Sequence, residues 1–468
     1  MASDSPVTIL EEARVSVPAT AALPPEPLVL SALDALWVTL PLIQRVLIFV
    51  DGDGGEDGRR ATPPFASVVA TLRASLAETL ARFPTLGGRI VHLPATGDAA
   101  IDCRTHGGGG VRFVVAEFDD ADADARRLAG DEDHDADAFR RLVPELDAGE
   151  LPAEAMAAQV TRLRGGWALG VAMHHAVVDG RSVWRFLQAW AAACRGEGDK
   201  DLAAAPPPAF DRAAIKLLAG GEELARTVLR KYAPDLPKAA VAGFLIRPNL
   251  SRRTFTITPH QMHRLKHRII ASNLSPAPPS TFVAVVALAW ASFVHAKHHR
   301  AAAGTTISPS DEVHLFFFAD CRSRLSPPPG DGFFGTCISG CLATLRARDI
   351  LLLAGDGDGV ARAAAAVAAE VRRAEGEPAA GWEWMDTVST RADMDRLVNV
   401  AGSTRFPAYQ ATDFGWGPPV RTELVTMNHD GQVVLVAGKD GDGGVQASVS
   451  LHPAHMDAFK THFLSYLG

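Results

Sequence analysis

The stretch Trp167-Ala168-Leu169-Gly170-Val171-Ala172-Met173-His174-His175-Ala176-Val177-Val178-Asp179-Gly180 changes character halfway along. Large side chains at Trp167, Leu169, Val171 and Met173 alternate with smaller ones, the period of a buried strand. Beyond Met173 the alternation stops, and an imidazole and a carboxylate stand four residues apart before a glycine. His175, not His174, has the aspartate at the fourth position. A neutral imidazole is well suited to taking a proton from a hydroxyl near pH 7, and loops at strand ends often carry catalytic groups. The chain has sixteen histidines and many aspartates, so this spacing alone is a weak signal. Its structural alternative is a strand-end histidine satisfied by backbone. A second word, Asp413-Phe414-Gly415-Trp416-Gly417, is far harder to obtain by accident.

Working outward, 468 residues with 47% hydrophobic content suffice for two packed domains. The net charge is −8 with both signs interspersed and no basic stripe, which argues against nucleic acid as a partner. The five cysteines (Cys103, Cys194, Cys321, Cys337 and Cys341) are scattered and form no CxxC pair. They suit a reducing compartment better than a disulfide framework or a zinc site. The N-terminus does not read as a secretory signal, and Thr281 to Ala296 reads as a helix buried in protein rather than in lipid. A cytoplasmic protein with no bound metal is expected. Residues 119–137, dense in Asp with one His, read as a solvated loop.

Strands are expected at 45–49, 88–94, 111–118, 156–163 and 167–173. A helix follows Pro63-Pro64, its apolar face at Val69, Leu72, Leu76, Leu80 and Phe83, with Pro64 in the first turn. Val183, Trp184, Leu187, Trp190 and Ala191 mark another helix, which ends at Arg195-Gly196. Ala203-Ala204-Ala205-Pro206-Pro207-Pro208 is the clearest linker. Further on come strands at 252–257, 312–320, 432–437 and 445–451 and helices at 280–297 and 359–374. The class is α/β with mixed sheets: an N-terminal lobe over 1–205, a linker or crossover over 206–240, and a C-terminal lobe over 241–468. A cleft between two such lobes is a usual place for ligands.

His175-to-Asp179 with Gly180, followed by Asp413 to Gly417, resembles the plant BAHD acyl-CoA-dependent acyltransferases over nearly the whole chain. Leu30-Ser31-Ala32-Leu33-Asp34, Phe83-Pro84-Thr85-Leu86-Gly87-Gly88-Arg89 and Asp320-Cys321-Arg322-Ser323-Arg324-Leu325 are similar to that family's other conserved segments. Phe333-Phe334-Gly335-Thr336-Cys337, with Thr336 in place of the usual Asn, resembles the branch acylating anthocyanin, flavonoid and phenolic glucosides. The resemblance implies a two-lobed, chloramphenicol-acetyltransferase-like fold with a channel between the lobes. It also implies a monomer, an acyl-CoA co-substrate such as malonyl-CoA or hydroxycinnamoyl-CoA, and no bound cofactor.

On that reading His175 is the general base. Asp179 either orients the histidine, as in triads, or makes a structural ion pair with Arg322 or Arg324; the resemblance favours the ion pair. Asp413, Phe414, Gly415, Trp416 and Gly417 read as a structural turn: the glycines permit positive φ, Trp416 packs, and Asp413 caps or pairs. A kinase reading of Asp-Phe-Gly lacks every companion motif. Arg181, Ser403 and Thr404 are candidate substrate contacts. Phe49 stands where malonyl-using relatives often carry Tyr, which removes a hydrogen bond to a malonyl carboxylate and keeps an aromatic donor open. The cluster His295, His298 and His299 reads as cations at a helix end. Four functions follow: O-acylation of a phenolic glucoside, N-acylation of an amine, condensation on a carrier-bound donor, and a catalytically silent binding module.

Overall fold

The structure, a computed structural model, describes residues 7–52, 61–104, 109–119, 123–130, 132, 134–197, 206–215, 221–239, 249–274, 277–298, 305–352, 358–378, 380–427 and 429–468. Of the acidic glycine-rich stretch at 51–58, expected as a turn, residues 53–58 lie outside them, as do the alanines at 203–205, part of the Asp-rich stretch and His299.

Two six-stranded sheets organise the chain. The first runs in the order Thr8–Val15, Val111–Glu117, Met156–Leu163, Gly166–Met173, Ile43–Val50, Arg421–Leu424. Its central strand, Gly166–Met173, is buried along its whole length and pairs antiparallel with Ile43–Val50, Met173 opposite Ile43. From Val46 to Val50 this strand is apolar on both faces, because both are covered. Ile43, Leu47 and Phe49 join the core under helices Phe65–Arg82 and Gly180–Cys194, while Val46, Ile48 and Val50 meet Leu128, Phe139 and Leu142 on the other side. Pro64 stands at the N-cap of Phe65–Arg82 rather than inside its first turn: its ψ of 140° is extended, so the helix begins one residue later.

The second sheet runs Ser251–Ile257, Val445–Leu451, Gln432–Ala437, Leu397–Gly402, Glu312–Asp320, Ile338–Arg346. Thr281–His298 is long and apolar enough by composition to cross a membrane, but 78% of it is buried inside the protein, in the core it shares with Gly359–Gly376 and Pro453–Leu467. A small four-stranded sheet (Leu28–Val29, Asp98–Asp102, Arg89–Leu93, Ala153–Glu154) flanks the first. The mixed α/β class expected from the sequence is the one observed. The chain also crosses back late: Arg421–Leu424 closes the edge of the first sheet against Ile43–Val50. Asp413 to Gly417 packs there too, with Phe414 edge-on to Phe49 and Trp190.

Candidate active site

Where Gly166–Met173 ends, the backbone turns through His174, whose N–H donates to Ala155 O at 2.9 Å and whose carbonyl accepts from Val177 N at 2.9 Å. Asp179 then caps Gly180–Cys194, its Oδ1 accepting from Ser182 N at 3.0 Å. His175 is fixed between these two anchors, strand end and helix start.

Asp179 is fully buried, and Arg322 Nη1 lies 2.8 Å from its Oδ2. That oxygen also accepts from Cys337 N at 3.1 Å. Burial works to raise the carboxyl pKa, but the Arg322 charge and these hydrogen bonds outweigh it and hold the group below its ordinary value. Arg322 donates further to Gly335 O at 2.8 Å and Ser182 Oγ at 3.2 Å. Arg324 instead pairs with Glu375 near the surface, at 3.1 Å. Both oxygens of Asp179 are therefore engaged away from His175, and the carboxylate acts on the imidazole only through its charge.

The His175 ring stacks on Trp37, centroids 3.5 Å apart and planes within 10°. Nδ1 is enclosed without a hydrogen-bond partner, whereas Nε2, equally without a protein partner, is not enclosed. Burial drives the pKa down to about 4, opposed by the residue's own carbonyl and by Asp179. That carbonyl accepts from Thr336 Oγ1 at 2.7 Å, and Thr336 N donates to Asp34 Oδ1 at 3.1 Å. The Phe333-to-Cys337 word thus grips the histidine loop twice, at His175 and at Asp179. No sequence pattern singles out Trp37, and Thr336 stands out in sequence only as a replacement of the usual Asn.

The arrangement makes an uncharged, accessible Nε2 at neutral pH, the state a base needs. We expect kcat/KM to stay level from about pH 8 down to about pH 5 and to fall only as His175 protonates near 4. An acid limb centred at the ordinary histidine value would contradict this environment. Stability should follow the same sign. His174, pushed down to about 3, and His175 take up protons more readily when unfolded. Their contribution is complete above the unfolded value near 6.5 and is lost as pH falls toward 4.

Trp37 also touches Trp384, ring centroids 5.6 Å apart, and Trp384 walls a cavity of about 330 Å³ lined by Phe316, Glu370, Arg373 and Arg391. A second cavity of similar volume lies around Thr62, Phe65 and Trp167. His175 lines neither; Trp37 and then Trp384 stand between it and the first.

The other candidates divide. Arg181 is half-exposed and pairs with Asp320 at 3.2 Å. Ser403 Oγ accepts from Arg405 N at 3.2 Å, and Thr404 is half-buried beside it. Phe49 needs correcting: it does not face a substrate but stacks on Trp167, centroids 4.0 Å apart, in the core. Aromatic packing on both sides leaves it no open space. Asp413 Oδ1 accepts from Gly415 N at 2.7 Å and Gly417 N at 3.0 Å. Those glycines have φ of +108° and +100°, which a side chain would strain. His298 bonds the Ile307 carbonyl and His295 stacks on His462. No group of three or more His, Cys, Asp or Glu suited to a metal occurs among the described residues.

Comparison with known proteins gives the geometry its context. The model of the Transferase family matches residues 5–465. Phenolic glucoside malonyltransferase 1 of Arabidopsis thaliana is 29% identical over 97% of this chain and 96% of its own length. Malonyl-CoA:anthocyanidin 5-O-glucoside-6''-O-malonyltransferase of the same plant is 30% identical, covering 98% of each. Its agmatine coumaroyltransferase is 28% identical over 98% of this chain and 99% of that one. Among solved structures, vinorine synthase superposes with a TM-score of 0.70 at 19% identity, covering 98% of both chains. TRI101 of F. sporotrichioides, complexed with coenzyme A and T-2, gives 0.68 at 16% identity over 95% of this chain and all of that one. At such identities the likeness is one of fold.

Proposed function

From a chain that belongs to the BAHD-type transferase family, and is therefore an acyl-CoA-dependent acyltransferase, we propose a specific transfer: a malonyl or hydroxycinnamoyl group moves from coenzyme A to a sugar hydroxyl of a phenolic glucoside, such as an anthocyanin. The observation that carries this reading is His175, neutral, seated on Trp37, with Nε2 accessible and unpartnered. Nε2 takes the hydroxyl proton as the acceptor oxygen attacks the thioester carbonyl carbon. As the tetrahedral adduct collapses, the C–S bond breaks and Nε2 returns the proton to the leaving thiolate. No acyl-enzyme is required. All five cysteines are free thiols, and the four buried ones (Cys103, Cys321, Cys337 and Cys341) have pKa values pushed up by burial, the opposite of an activated nucleophile.

N-acylation has one specific support, the agmatine coumaroyltransferase relative, and the same base would serve it. The glucoside stands first because the phenolic glucoside and anthocyanidin malonyltransferases are relatives at 29% and 30% identity over nearly the whole chain. A cytoplasmic monomer is the setting we propose.

The test is release of free thiol with malonyl-CoA and coumaroyl-CoA against phenolic glucosides, anthocyanins and agmatine. Turnover with a glucoside is the expected result. Turnover confined to the amine would move the assignment to N-acylation, and no thiol from any pair would favour a silent binding fold.

A further inference from the structure

On strand Ile43–Val50, the residues at 43, 47 and 49 face the core beneath helix Gly180–Cys194, and Arg45 shares their face by the two-residue period. An arginine in that row is costly, because a buried guanidinium must find acceptors for its donors. This one is 5% exposed and lies over the Trp184 ring, 4.7 Å from its centroid, yet donates to no protein acceptor. Nη1 is enclosed and orphaned, while the remaining nitrogens are not enclosed. Trp184 Nε1 and Thr422 Oγ1 are orphaned as well. Thr422 pairs with Leu47 in the neighbouring strand, which sets it on the Arg45 face, one step along.

Charge points the same way. The carboxylate whose charge acts on Arg45 is Glu423, but the register sets Glu423 opposite Val46, on the other face of the sheet. There it is engaged by Arg421, Thr254 and Ser448, each at 3.2 Å. Arg252 and Arg421 also satisfy donors with backbone carbonyls. Arg45 alone of the three guanidinium groups has no acceptor. Burial draws its pKa down to about 10, still charged at neutral pH.

We propose that Arg45, with Trp184 Nε1 and Thr422 Oγ1, forms a subsite for a substrate carboxylate, the free end of a dicarboxylic acyl group on the CoA donor. Trp184 belongs to the helix that Asp179 caps, and Arg45 pairs with Val171, two residues before the strand ends at Met173 and runs into the histidine loop. This rests on the acyl-transfer reading above and narrows its donor to the malonyl class. It also removes the argument from Phe49, whose packed ring bears on no acyl group.

The test compares kcat/KM for malonyl-CoA with that for acetyl-CoA. Wild type should prefer malonyl-CoA, and Arg45→Met should cut the ratio about a hundredfold, as expected when a buried charged partner is removed. Thr422→Val and Trp184→Phe should each cut it about fivefold; they carry the comparison should Arg45→Met not fold. Calorimetry with sodium malonate, which needs no turnover, should show binding to wild type and none to the Arg45 variant. An unchanged ratio, or malonate binding that survives the substitution, overturns the subsite. So does preferential binding of inorganic phosphate at Arg45, which would mark a contact to the phosphates of CoA. Absence of thiol release from every donor, by contrast, strikes at the transferase reading, and the malonate measurement still decides the subsite.

Discussion

His175→Ala should lower kcat about a thousandfold, the middle of the range for loss of a general base, while the urea midpoint stays close to that of wild type. The asymmetry follows from the ring's surroundings. Its nitrogens hold no hydrogen bond to the protein, so truncation strands no partner. What is lost in the fold is one stacked contact with Trp37, about 1 kcal/mol by the usual worth of such pairs. What is lost in the reaction is the only step that makes an alcohol nucleophilic at neutral pH. Binding of coenzyme A, followed by calorimetry, should survive. A variant retaining a tenth of wild-type turnover would show that the substrate or water supplies the base.

Much of this geometry was legible because the deciding segments are strongly patterned. Gly166–Met173 alternates in size along a buried strand, and Gly180–Cys194 has its apolar residues on one helical face. Each element announces its own end, the first by losing its alternation and the second by Gly196 in the left-handed region. Thr8–Val15 did not announce itself. It is an exposed edge strand rich in charge, so it has no buried face to impose a period. Arg421–Leu424 is four residues long and mixes Arg, Thr and Glu; Arg421 and Glu423 pair with each other on the sheet's far side, so no apolar alternation marks the strand.

The site divides along the same line. His175, Asp179 and Arg322 sit in recognisable words, but the contacts that shape them are made at long range. Trp37 reaches His175 from a short helical turn near the N-terminus, and Thr336 reaches its carbonyl from a loop 161 residues away. Periodicity reports which face of an element is apolar; it is silent on which distant loop closes over it. Phe49 illustrates the converse error. A hydroxyl missing at one position was read as a missing substrate contact, when Trp167 and Phe414 occupy the space around that ring.

Asp179→Ala should cost stability before it costs chemistry. Arg322 would keep Gly335 O, Ser182 Oγ and Asp320 at 3.3 Å, but it would lose the carboxylate 2.8 Å away in a fully buried place. Leaving such a charge without its main partner costs about 3–5 kcal/mol. Losing the cap at Ser182 N adds about 1 kcal/mol. The Cys337 N–H is stranded as well, which loosens the loop carrying Thr336 and hence the carbonyl of His175. Asp179→Asn keeps an oxygen for the cap but sets an amide against the guanidinium, so it should fall between wild type and Ala in urea midpoint. Turnover per folded molecule is the discriminating quantity. If Asp179 acts through position, Asn should retain far more of it than His175→Ala, and loss of activity should track loss of fold. Should Asp179→Asn fold as well as wild type and match His175→Ala in its loss of kcat, the carboxylate would belong to the chemistry itself, in an arrangement reached only with substrate bound.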